Sequence, residues 1–158
     1  ADAAIAAILE GTNSYSVTSG FPVLLDALSN EMSKEGLSPE SFIATCGAEG
    51  ALVLSMLALA EESTDVMVTD PCFATYGHLI RLAGANPCWV DTYPDFKLTP
   101  ERVKNAYNDR CKILLFNSPT NPTGMSYTAE EIEALANTAK DLGLQVISDE
   151  VYERFSYD

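Results

Sequence analysis

Two stretches of this chain gather side chains that could orient a bound small molecule. In Asn117-Ser118-Pro119-Thr120-Asn121-Pro122-Thr123-Gly124, two prolines and a glycine stand between an apolar run at 113–116 and a helix-like run that begins near Thr128. Such a segment continues neither a strand nor a helix, so the chain must turn there and present amides and hydroxyls outward. The second stretch, Val146-Ile147-Ser148-Asp149-Glu150-Val151-Tyr152, ends another apolar run with two carboxylates and a phenol. Both clusters fall at strand ends, which is where open α/β sheets bind ligands. A third stretch, Gly47-Ala48-Glu49-Gly50, lies at a strand-to-helix junction, where small residues let backbone amides approach an anion closely.

The elements that must position these groups follow from periodicity and punctuation. Residues 1–9 form an Ala-rich helical segment, ended by Gly11, Asn13 and Ser14. Pro22 opens a second helix over 23–32, and residues 42–45 form a first strand before a long apolar helix that runs to about Ala60. Strands at 65–69, 86–90, 112–116 and 144–147 then alternate with helices. Those helices begin after Tyr76, at Thr99-Pro100-Glu101 and at Thr128-Ala129-Glu130-Glu131, the last resembling a capping box. This alternation predicts a three-layer α/β/α sandwich with a mostly parallel sheet. A helical segment at 1–14 is expected to precede one domain at 15–158.

Composition narrows the function classes. At 158 residues and 47% hydrophobic the chain can bury a real core. Its formal charge of −14, with no basic cluster, disfavours nucleic acid as a partner. Cys46, Cys72, Cys88 and Cys111 have neither paired spacing nor a nearby His, so a metal site is disfavoured and each is expected to fill space near a strand. No apolar stretch reaches membrane-spanning length and no leader pattern opens the chain, so no membrane partner and a cytoplasmic location are expected. The first residue is Ala rather than Met, which leaves upstream sequence or processing open.

The N-S-P-T-N-P-T-G segment, followed one helix and one strand later by S-D-E-V-Y, resembles the cofactor-binding half of the fold-type-one pyridoxal-phosphate enzymes, in particular the class I/II aminotransferases. The resemblance runs from Tyr15 to Tyr157 and implies part of a large domain in a longer homodimeric enzyme. That enzyme would move an amino group between an amino acid and a 2-oxo acid on pyridoxal 5'-phosphate. A carbon–sulfur lyase on the same cofactor, or a non-catalytic α/β interaction domain, are the alternatives.

The resemblance also implies roles. The turn at Gly47, Ala48 and Glu49 meets the cofactor phosphate, with the Glu49 N–H facing the anion and its carboxylate turned away. Tyr15 reaches the phosphate of the neighbouring subunit, and Phe73 lies on the ring. Asn121 and Tyr152 hydrogen-bond the phenolic oxygen, and Asp149 pairs with the ring nitrogen. Plainer roles stand beside these: core packing for Phe73, Tyr76 and Tyr152, turn stabilisation for Asn121, and capping for Asp149. The catalytic residue is unassigned. None of Lys34, Lys97, Lys104, Lys112 and Lys140 follows Asp149, where the family keeps its Schiff-base lysine, and the substrate-binding arginine is also expected elsewhere.

Overall fold

The computed structural model describes residues 1–12, 15–39 and 41–155, which fall into two compact units, Ala1–Cys46 and Gly47–Asp158. Asn13, Ser14 and the boundary after residue 14 lie outside the described residues, as does Tyr157.

The first unit holds α1 (Asp2–Leu9) and α2 (Pro22–Lys34). Phe21 is extended and Pro22 occupies the first helical turn, where its missing N–H costs nothing. Neither helix buries a residue. The strand expected at 42–45 does not form. An apolar run becomes a strand only when a neighbour supplies a ladder. The described backbone link here is from the Ala44 N–H to the Ser19 carbonyl (2.8 Å), and no ladder is formed among the described residues. Gly20 permits that approach: its φ is +120°, and a Cβ there would lie 2.8 Å from the Ala44 Cβ.

The second unit runs α3 (Gly47–Leu59), β1 (Asp65–Asp70), α4 (Tyr76–Leu82), β2 (Asn86–Asp91), α5 (Pro100–Ala106), β3 (Cys111–Asn117), α6 (Ala129–Asp141) and β4 (Gln145–Asp149). The four strands are all parallel, in the order β2-β1-β3-β4. Strands buried on both faces need near-continuous apolar runs, and β1 and β3 supply them. Val66, Val68, Ile113 and Leu115 pack against Leu52 and Met56 of α3 and Tyr76 and Ile80 of α4. Met67 and Leu114, pointing the other way, pack against Val103 of α5 and Leu135 and Ala139 of α6. The result is a three-layer α/β/α sandwich.

Local chemistry sets the helix starts. Thr99 accepts the Arg102 N–H, with Pro100 in the first turn. Thr128 and Glu131 complete a reciprocal capping box. At the amino end of the sheet, buried Asp65 accepts from Arg110 Nη2 (3.0 Å), Arg110 Nε (3.2 Å) and Asn108 Nδ2 (3.1 Å) on one oxygen, tying β1 to the turn before β3. No described helix is long and apolar enough to cross a membrane.

Candidate functional site

The strand order determines where a ligand would sit. From β1 the chain moves outward to β2 through α4, then passes back over β1 to β3 through α5 and on to β4 through α6. Right-handed crossovers running in opposite directions put their helices on opposite faces, as the two core clusters confirm. The direction reverses between β1 and β3, so a crevice opens beyond their carboxyl ends. Helix α3 packs on the sheet and only five residues separate its end from β1, so its first turn points toward that same end.

A continuous set of contacts occupies the crevice. The Tyr76 hydroxyl donates to Asp149 Oδ2 at 2.6 Å, and the Val151 N–H donates to Oδ1 at 3.2 Å. Asn117, the last residue of β3 and the register partner of Asp149, donates from Nδ2 to the Asp149 carbonyl (2.9 Å). Its Oδ1 accepts the Asn121 N–H at 2.9 Å. Asn121 Nδ2 in turn donates to the Tyr152 hydroxyl at 3.3 Å. Phe73 stands edge-to-face to Tyr76, with ring centroids 5.5 Å apart. Phe73, Asn121, Asp149 and Tyr152 are thereby joined through Tyr76 and Asn117. The Ser118–Pro119 and Asn121–Pro122 bonds of the intervening turn are cis.

The remaining candidates are placed as follows. Gly47, Ala48 and Glu49 form the exposed first turn of α3, with Gly47 at φ +71° and open space where a Cβ would project. Such a helix start, lacking a side chain at the bend, offers N–H groups to an anion. Tyr15 belongs to the first unit and is fully exposed there.

The carboxyl edge of the sheet is rich in hydrogen-bond acceptors and so favours donors. Three of the four strands end in Asp70, Asp91 and Asp149, and the fourth in Asn117. Burial, then the hydrogen bond to Asp149, pushes the Tyr76 phenol well above the usual tyrosine range, so it stays a proton donor. Burial pushes the Cys72 thiol up to about 11, with Asp70 adding to it.

Two residues of the network, Tyr76 and Asn117, have no polar role assigned from sequence. Tyr76 carries one weak signal, its position three residues after Phe73, and Asn117 another, its place at the end of an apolar run. Three of the five lysines are engaged elsewhere: Lys34 with Glu31, Lys97 with Glu131, and Lys112 with the Asp109 carbonyl. A separate cleft of about 470 Å³ opens on the α6 face, among Phe116, Ile132, Leu135 and Val146. None of the eight candidate residues lines it.

Comparison with known proteins identifies the family and the fold. The family described as "Aminotransferase class I and II" matches residues 1–158. A probable aspartate aminotransferase of Methanocaldococcus jannaschii is 36% identical over 99% of this chain and 43% of its own length. The aspartate/prephenate aminotransferase of Thermus thermophilus is 38% identical over 99% of this chain and 42% of its own. Among solved structures, the aromatic aminotransferase from Pyrococcus horikoshii superposes with a TM-score of 0.92 at 31% identity, covering 99% of this chain and 44% of that one. The chain thus spans about two fifths of the length of the curated relatives it matches.

Proposed function

The chain belongs to the class I and II aminotransferase family, and on that premise we propose that the protein carrying it moves an amino group between an amino acid and a 2-oxo acid on pyridoxal 5'-phosphate. One observation carries the reading: Asp149, Asn121 and Tyr152 converge with Phe73 at the switch point of a parallel sheet, linked by hydrogen bonds through Tyr76 and Asn117.

The donor set fits the cofactor. Asp149 is buried and accepts one described hydrogen bond on each oxygen, leaving acceptor capacity for a protonated ring nitrogen. Asn121 and Tyr152 present an amide and a phenol side by side, suited to the ring's phenolic oxygen. Phe73 covers a ring face and excludes water from it. The first turn of α3, at Gly47, Ala48 and Glu49, would receive the phosphate at a helix start, with the Glu49 carboxylate directed to solvent. When bound, the cofactor would supply an electron sink, and the Asp149 carboxylate would keep the ring nitrogen protonated so that the sink is effective.

The Schiff-base lysine and the arginine that receives the substrate carboxylate are assigned to sequence outside residues 1–158. The large domain is taken to begin at Tyr15, after the helical segment at 1–14. Tyr15 is assigned to the phosphate of a neighbouring subunit, which makes the assembly a homodimer with shared sites.

The test uses full-length protein reconstituted with the cofactor. Borohydride reduction followed by peptide mass analysis should find the adduct on a lysine outside residues 1–158, and supplying an amino acid with a 2-oxo acid should yield the exchanged pair. Release of ammonia or sulfide without exchange would replace transamination with elimination. An adduct on any of the five lysines of this chain would overturn the assignment of the lysine.

A further inference from the structure

We infer that Tyr76 is a positioning residue: its phenol fixes the orientation of the carboxylate, Asp149, that would hold the cofactor's ring nitrogen. The inference rests on the reading of Asp149 given above.

Asp149 stands at the carboxyl end of β4, where the strand gives way to a turn. Of the two described groups that hold its carboxylate, the Val151 N–H lies two residues along the same turn and moves with it. It cannot by itself stop the carboxylate from rocking as the turn moves. The Tyr76 hydroxyl comes from α4, 73 residues away in sequence, and reaches Oδ2 at 2.6 Å. It is the brace that is independent of β4.

The Tyr76 ring is itself immobilised. It is 2% exposed, packs in the cluster with Leu52, Val68 and Ile80, and stands edge-on to Phe73. A tyrosine has only two side-chain torsions, so core packing of its ring also fixes its oxygen. The phenol has one proton to give and the carboxylate accepts it; the upward displacement of the phenol's acidity keeps that polarity unchanged. The groups near this pair are Cys72 and Tyr152, both uncharged in their protonated forms, and neither competes for the Tyr76 proton in the described contacts.

Each carboxylate oxygen offers two acceptor positions. With one donor on Oδ2 and one on Oδ1, a position remains on either oxygen, and the phenol determines which way those positions face. Packing alone would be satisfied by phenylalanine. The hydroxyl therefore marks a function directed at the carboxylate rather than at the core.

The test compares pyridoxal 5'-phosphate with its analogue bearing CH in place of the ring nitrogen, titrated into full-length protein and followed by ring absorbance. Wild-type protein is expected to prefer the nitrogen-containing ring. Tyr76→Phe should weaken binding of that ring by about tenfold, the effect of losing one hydrogen bond to a charged group, and leave the CH analogue unchanged. The preference between the two then collapses. In an Asp149→Asn background, Tyr76→Phe should have no further effect on the preference.

If Tyr76→Phe weakens both ligands equally, or neither, while Asp149→Asn abolishes the preference, Tyr76 serves packing only and the inference falls with the reading of Asp149 intact. If wild-type protein shows no preference, the reading of Asp149 falls and the inference goes with it. Circular dichroism and the unfolding midpoint of unliganded Tyr76→Phe protein separate a lost brace from a lost fold.

Discussion

Removing the Asn117 side chain should loosen both halves of the site at once. This amide is 8% exposed and makes two hydrogen bonds of 2.9 Å, giving one to the Asp149 carbonyl and accepting one from the Asn121 N–H. In Asn117→Ala the Asp149 carbonyl keeps the weaker Ser118 N–H at 3.3 Å, whereas the Asn121 N–H loses its described partner. Two net hydrogen bonds at about 1 kcal/mol each, with up to about 2 kcal/mol for the stranded N–H, give a loss of about 2–4 kcal/mol. The chain's one tryptophan, Trp89, lies in β2 and reports on the sheet unit by fluorescence. With a urea dependence of about 2 kcal/mol/M, the midpoint should fall by about 1–2 M. A shift corresponding to less than about 0.5 kcal/mol would show that the turn holds its shape without Asn117, and the bridging role would be wrong.

Chemical labelling and acid titration probe two further features. At neutral pH, iodoacetamide followed by peptide mass analysis should modify exposed Cys46 first; Cys72, about 11, and Cys88, about 12, are both pushed up chiefly by burial and should lag. Equal labelling rates at Cys46 and Cys72 would contradict the described burial. The Glu131 carboxyl is held below its ordinary value of 4.5, first by Lys97 and then by the Thr128 N–H. A depressed carboxyl contributes stability that is complete above its unfolded value and is lost as pH falls through the folded one. Lys97→Met should therefore flatten the acid limb of the stability profile below about pH 4.5 while leaving the shape at neutral pH unchanged, as followed by circular dichroism.

Much of this arrangement is written locally in the chain. The turn at 117–124 is legible because prolines and glycine forbid the alternatives, and the start of α6 because Thr128 and Glu131 cap each other over one turn. Parallel pairing follows from strands alternating with helices, although the position of β2 outside β1 is set by crossover handedness and needs the fold. The polar role of Tyr76 is not legible, because its partner lies 73 residues away and an amphipathic side chain on a short helix serves packing equally well. Asn117 was part of a recognised segment, but its own work depends on the register that sets it beside Asp149. The strand expected at 42–45 is the converse case: the run has the composition of a strand, but composition alone does not supply a ladder. Cys46 likewise departs from the space-filling role expected of the cysteines, since it is exposed just before α3.

The sheet also has a bearing on how the protein behaves in a tube. Among the described residues β4 pairs with β3 alone, and Val146, about half exposed, faces the apolar cleft beside α6. Wherever such a strand margin is left uncovered beside an oily hollow, it is a template onto which another chain can dock and stack. The formal charge of −14 opposes such stacking through mutual repulsion, but only over the screening distance, which shrinks from about 30 Å at 0.01 M salt to about 3 Å at 1 M. Salt that relieves crowding among the acidic groups within one molecule thus also removes the barrier between molecules, so that the gentlest buffer for the fold and the gentlest for the solution are different buffers.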